Sequence, residues 1–93
     1  ATLVPLSVLE RCVEALELAH VTALDGNPNS VSDAGVAAVC AVAAAEGASL
    51  NVRINLDGLD GDTSDIVDRQ DAALAKAREM SAAVLRIVNE RLS

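Results

Sequence analysis

Leu50-Asn51-Val52-Arg53-Ile54-Asn55-Leu56 is the stretch on which the fold turns. Apolar and polar residues alternate along it without a break, which is the period of a half-buried β-strand. Context points the other way. No second strand candidate exists in the chain, and a lone strand exposes a row of unpaired backbone N–H and C=O groups. On the residues alone both readings stand, with context favouring a helical continuation. As a helix, the stretch places Asn51 and Asn55 one turn apart on one face.

Upstream, Val31 to Glu46 is dominated by alanine, at positions 34, 37, 38, 41, 43, 44 and 45. Side chains this small admit a neighbouring helix backbone closely, so the segment is expected to be a central helix contacted on more than one side. Asn27-Pro28-Asn29-Ser30 reads as a turn, with Ser30 capping the helix and Gly47 ending or kinking it. Pro5 to Leu24 is an amphipathic helix of about 30 Å, with Leu9, Cys12, Val13, Leu16, His20, Ala23 and Leu24 on its apolar stripe. Pro5 suits a first turn and Gly26 a stop. Downstream, residues 57–62 form a Gly/Asp loop. A last helix starts at Thr63 or Ser64 and runs to about Leu92, some 45 Å. At that length it outreaches the cover the other two provide, which calls for a partner.

Composition narrows the function classes. The chain has 93 residues, 52% hydrophobic, with no Phe, Tyr or Trp. Its core must come from Ala, Val, Leu and Ile in a chain near the size where cores become marginal, so completion by another segment or another copy is expected. A net charge of −7 with no Lys/Arg cluster argues against nucleic acid and anionic membrane surfaces as partners. No uninterrupted apolar stretch approaches the ~20 residues of a membrane span. Cys12 and Cys40 read as two buried, reduced thiols of a cytoplasmic protein. The first residue, Ala1, suggests a processed product or a piece of something longer.

The acidic run Asp57, Asp60, Asp62, Asp65, Asp68, Asp71 invites a calcium test. With glycine at loop position six, position one falls on Arg53 or Leu56, and neither supplies a carboxylate. His20 reads as a half-buried core histidine, and two distant cysteines make no zinc spacing, so no metal is expected. Nucleophile elbows and phosphate-cradling glycine loops are absent. Two polar groups remain. Asn29, Ser30, Ser32 and Asp33 gather at a helix start, either as caps or as an anion- or carbonyl-binding site. Asn51, Arg53 and Asn55 either pack polar surfaces between helices or hold a heterocycle by paired donors and acceptors.

Three segments carry a resemblance: Ala1-Thr2-Leu3-Val4-Pro5-Leu6, the run Gly26-Asn27-Pro28-Asn29-Ser30-Val31-Ser32-Asp33-Ala34-Gly35-Val36-Ala37-Ala38, and Gly47-Ala48-Ser49-Leu50-Asn51-Val52-Arg53-Ile54-Asn55-Leu56. In this order they resemble the formiminotransferase-cyclodeaminase family, in its cyclodeaminase or methenyltetrahydrofolate cyclohydrolase-like domain. The similarity covers essentially residues 1–93 and corresponds to the C-terminal half of that domain; the family's Pro-Gly-Gly-Gly-Ser segment has no counterpart here. The resemblance implies an all-α, multihelical bundle of long antiparallel helices, with residues 50–56 helical, completed by an N-terminal half, a homodimer partner, or both. It implies a cytoplasmic folate enzyme, a lyase or hydrolase, acting on a tetrahydrofolate derivative without a metal. The reaction is conversion of 5-formiminotetrahydrofolate to 5,10-methenyltetrahydrofolate and ammonia, or hydrolysis of the latter. On this reading Asp33 transfers a proton or positions substrate, while Asn29, Ser32, Asn51, Arg53 and Asn55 bind it. Lacking the glycine-rich segment, the isolated chain is expected to be inactive. A catalytically silent helical assembly domain is the alternative.

Overall fold

Three helices form, α1 (Leu3–Leu24), α2 (Pro28–Leu56) and α3 (Ser64–Leu92), in a computed structural model that describes residues 3–93. Ala1 and Thr2, which open the first resembling segment, lie outside the described residues. No strand occurs among the described residues, and 50–56 is helical. Alternation loses here because the segment's inward side chain, Val52, is fully buried while Leu50 and Ile54 face outward.

α2 differs from its expected bounds at both ends. Asn27 caps it, with an extended backbone and Oδ1 accepting from the Asn29 N–H at 3.0 Å. Pro28 then takes the first helical position, where its missing N–H is no loss. The turn is therefore shorter than expected, and Ser30 lies inside the helix. At the other end Gly47 neither stops nor kinks α2. Glycine costs about 1 kcal/mol in a helix interior, too little to break 29 packed residues. The corrected length also removes one sign of a missing partner, since α2 matches α3's 29 residues and runs beside it.

Packing is antiparallel from α1 to α2 and from α2 to α3. Ser49 meets Gln70, Ala38 meets Ser81, and Gly35 meets Val88, so rising positions on α2 face falling positions on α3. α1 and α3 run parallel, tied by Arg69 to Glu10 at 2.8 Å and by Arg91 Nη2 donating to the Leu24 carbonyl at 3.3 Å. Gly26, at φ +86°, makes the α1–α2 turn; a Cβ there would lie 3.1 Å from Arg91 Nη1. The product is a rod of 50 × 16 × 16 Å.

The core is aliphatic and small. Leu6, Leu9, Leu16, Val52 and Val84 are fully buried, with Ala38, Ala45 and Ala77 between them where the helices close in. Each buried Leu or Val contributes roughly 1.5–3 kcal/mol. Inside this core the Ser49 hydroxyl donates to Gln70 Oε1, and Gln70 Nε2 donates to Asp71 Oδ1 at 2.5 Å; with the buried Ser81 hydroxyl directed at the Ala38 carbonyl, these bonds fix the α2–α3 register. Outside it, Arg78 grips Glu46 with two bonds of 2.6 and 2.7 Å, and that guanidinium holds the Glu46 carboxyl below its usual range.

Two burial expectations change. Cys12 is buried, and desolvation pushes its thiol up, but Cys40 is exposed on α2's outer face; both are free. Leu24, placed on the α1 stripe, is exposed at the helix end. By length and composition α2 would suffice to cross a membrane. Its alanines account for part of that hydropathy, since α2 packs against both α1 and α3 while its third side is exposed.

Candidate functional site

The six sequence-predicted residues all lie on α2, so its geometry decides which can act together. Asn29 and Ser32 occupy its first turns, and Asp33 follows just beyond the first turn, which holds no acidic residue. Asp33 is therefore not a dipole-capping carboxylate, because that effect fades within one turn. All three are exposed. Asn51 and Arg53 are exposed near the other end, and Asn55 is half-buried.

Asp33 and Asn51 share one seam of the rod. Asp33 borders a groove of about 250 Å³ between α1 and α2, with Leu18, Ala19, Thr22 and Ala37 around it. Asn51 borders a second groove of about 370 Å³ farther along that seam, with Val4, Pro5, Val8, Ala44 and Gly47. Nothing lies within 4 Å of where a Gly47 Cβ would sit, so glycine keeps that groove open. Ser32 turns instead to the α2–α3 side, into a groove of about 350 Å³ with Gly35, Val36, Val39 and Cys40.

Distance separates the two polar groups. Eighteen helical steps separate Asp33 from Asn51 on one continuous helix, about 27 Å at 1.5 Å per residue. General acid–base chemistry needs its groups within hydrogen-bond reach of one reacting centre. Within one chain, then, Asn51 and Asn55 share a helix end with Arg53, Asp33 shares the other with Asn29 and Ser32, and the two ends cannot hold the same reacting atoms. Asp33 forms no ion pair among the described residues. Arg53 likewise makes no salt bridge among them, although Glu46 feels its charge.

No group of three His, Cys, Asp or Glu side chains converges to hold a metal ion among the described residues. The acidic loop is organised locally, with Asp62 Oδ1 accepting from the Ser64 N–H at 2.9 Å; that bond holds the Asp62 carboxyl down and starts α3. Residues that the sequence reading left without a role are Gly47, Thr22 and the Val4–Val8 wall. Gly47 carried a signal in its position, four residues before Asn51 on one helix face, but as a supposed helix stop it concealed that role.

Residues 1–76 match the formiminotransferase-cyclodeaminase family. A methenyltetrahydrofolate cyclohydrolase of Methylorubrum extorquens is 48% identical over 60 residues, which make up 64% of this chain and 29% of that protein. The aligned part thus spans under a third of that relative. No solved structure matches the chain.

Proposed function

Since the chain belongs to the formiminotransferase-cyclodeaminase family, we propose that it serves folate one-carbon chemistry as part of a domain that handles 5,10-methenyltetrahydrofolate. The observation that carries this reading is the family match together with the two polar ends of α2. The relative's name favours the hydrolytic direction. In it, water adds to the amidinium carbon of the methenyl bridge and loses one proton, and the bond to N5 then breaks as the remaining hydroxyl proton passes to N5, leaving a formyl group on N10. In the cyclodeaminase direction N10 attacks the carbon of the protonated formimino group, the N10 proton passes to the resulting amino group, and ammonia departs to leave the methenyl cation. Both directions need a base near the bridge carbon, the role we give Asp33. Arg53 suits a carboxylate of the substrate by a charge-assisted bond, and Asn51 and Asn55 suit the pterin's donor and acceptor edge; standing about 27 Å along α2 from Asp33, they reach that same substrate only from another copy of the chain.

The proposed working form is larger than one copy of this chain. α1 presents Val4, Val8, Leu18 and Val21 outward, Leu18 being 70% exposed, an apolar strip that the rest of the domain would cover. We place this assembly in the cytoplasm, in keeping with free cysteines. The direct test is loss of the near-ultraviolet absorbance of 5,10-methenyltetrahydrofolate on mixing with this chain, alone and within a longer protein that carries it. Hydrolysis faster than the buffer rate in the longer protein is the expected result. No acceleration in either, with no folate binding, would overturn the reading and leave a structural helical domain.

A further inference from the structure

We propose that Gly47 is a specificity-determining residue, its missing side chain admitting the planar pyrimidine ring of the substrate's pterin, face on, to the α2 backbone in the groove between α1 and α2. The proposal deepens the folate reading and rests on it. Nothing in the fold accounts for a glycine at this position. Gly47 stands inside α2 among Ala43, Ala44, Ala45 and Ala48. Glycine is a costlier residue there than alanine, because it gives up the most backbone freedom on folding. Its conformation does not demand glycine, since the positive-φ glycines of the described residues are Gly26 and Gly61. Helix packing does not demand it either. At Gly35 a Cβ would lie 3.1 Å from Val88 Cγ1, so the approach of α3 explains that glycine, whereas at Gly47 a Cβ would meet nothing within 4 Å. Room is kept at Gly47 for something other than the described residues of this chain.

The lining of the groove selects the occupant. Val4, Pro5 and Val8 of α1 face Ala44 and Gly47 of α2, with Asn51 one turn beyond the glycine. The volume of about 370 Å³ lies within the ~300–1,000 Å³ of small-molecule sites. No lining residue is charged, so the groove offers nothing to the glutamate carboxylates of a folate. Its polar group is the Asn51 carboxamide, which has no hydrogen-bond partner among the described residues and supplies two donors and an acceptor. A pterin answers both features, with apolar ring faces and an edge on which an amino group, a ring N–H and a carbonyl follow one another. The p-aminobenzoyl ring has the faces but no such edge.

Thickness is what Gly47 controls. Stacked carbons sit ~3.5–4.0 Å apart, so a ring laid on α2 at Gly47 fills the layer in which a Cβ would stand. An alanine methyl lifts the ring away from the backbone and pulls its edge off Asn51, and a leucine fills the groove. The same two changes favour the helix itself, since alanine and leucine are both better helix formers than glycine. Binding and stability therefore move in opposite directions, which a glycine kept for the fold would not do.

Equilibrium dialysis of the native 93-residue chain, Gly47→Ala and Gly47→Leu against 5-formyltetrahydrofolate, free pterin and p-aminobenzoylglutamate is the test. The chain has no Trp, Tyr or Phe, so ligand absorbance is read without an aromatic background. The native chain is expected to bind the first two. Gly47→Leu weakens both by about tenfold or more, the loss of a hydrogen bond and a ring contact, while p-aminobenzoylglutamate does not distinguish the three chains. Gly47→Ala falls between and raises the thermal unfolding midpoint by about 2–8 °C. A leucine variant with native affinity for pterin, or a native chain that binds 5-formyltetrahydrofolate but not pterin, would overturn the proposal and leave the folate reading standing. So would an alanine variant that melts lower than the native chain, or a leucine variant that loses p-aminobenzoylglutamate rather than pterin. A change in sedimenting mass with affinity unchanged would assign the open space to another helix and refute the proposal equally. Binding of none of the three probes by the native chain would remove both the proposal and the folate reading.

Discussion

Leu16→Ala is expected to lower the thermal unfolding midpoint by about 10–30 °C. Leu16 is fully buried on α1, in a core with no aromatic ring to share the load. Truncating a buried leucine removes its transfer free energy and leaves a cavity, together about 2–5 kcal/mol. The alanines opposite it on α2 belong to closely packed helices and have no long side chain with which to refill the space. Globular chains hold roughly 0.05–0.15 kcal/mol per residue, about 5–14 kcal/mol at this length, so one such cavity consumes a large share. Each kcal/mol moves the midpoint by about 4–8 °C in a domain of this size. Thermal denaturation followed by circular dichroism checks it, and a shift under about 3 °C would show that Leu16 does not sit in the packed centre.

Asp33→Ala is expected to lower kcat more than tenfold in a preparation that turns over methenyltetrahydrofolate, with KM little changed. A positioned general base contributes roughly 10²–10⁴ in rate, and its loss is felt in the transition state rather than in binding. Arg53→Ala should show the opposite split, a raised KM with kcat nearly kept, because a charge-assisted bond to a remote carboxylate holds substrate and transition state alike. Asp33 is exposed and makes no ion pair among the described residues, so neither folding nor packing stands to be lost with it. An unchanged rate would remove Asp33 from the chemistry.

Much of the architecture was legible in the residues. The α1 stripe through Leu9, Cys12 and Leu16, and the α3 stripe through Gln70, Ala77, Val84 and Val88, are buried along the faces their spacing marks. The boundaries of α2 were harder, for a physical reason. Asn27 and Ser30 are both competent caps, and only the seating of Pro28 at the first position decides between them. Gly47 has the local chemistry of a stop, whereas burial of Ala45, Ala48 and Ser49 around it keeps the helix running. The alternation at 50–56 misleads because α2 is apolar on its solvent side as well, so Leu50 and Ile54 are apolar without being inward. The same error hid the spacing of the site. With α2 broken at Gly47, Asp33 and Asn51 could have folded back on one another. With α2 continuous they stand about 27 Å apart. Cys40 was misjudged likewise, since an apolar helical pattern does not say which apolar face is covered.

On the folate reading proposed above, the polar residues at both ends of α2 bind and protonate or deprotonate the substrate. Caps and solvation explain Asn27 and Asp62, each seen bonded to a backbone N–H. Asp33 and Asn51 are exposed, border open grooves along one seam and cap nothing.

Amide chemical shifts of the isotopically labelled chain, followed while a reduced folate such as 5-formyltetrahydrofolate is titrated in, test the folate assignment most directly. Saturable shifts concentrated at residues 29–33 and 51–55, with the loop at 57–62 unmoved, are the predicted result. A titration that moves neither end of α2, or that moves only residues away from both, would contradict it.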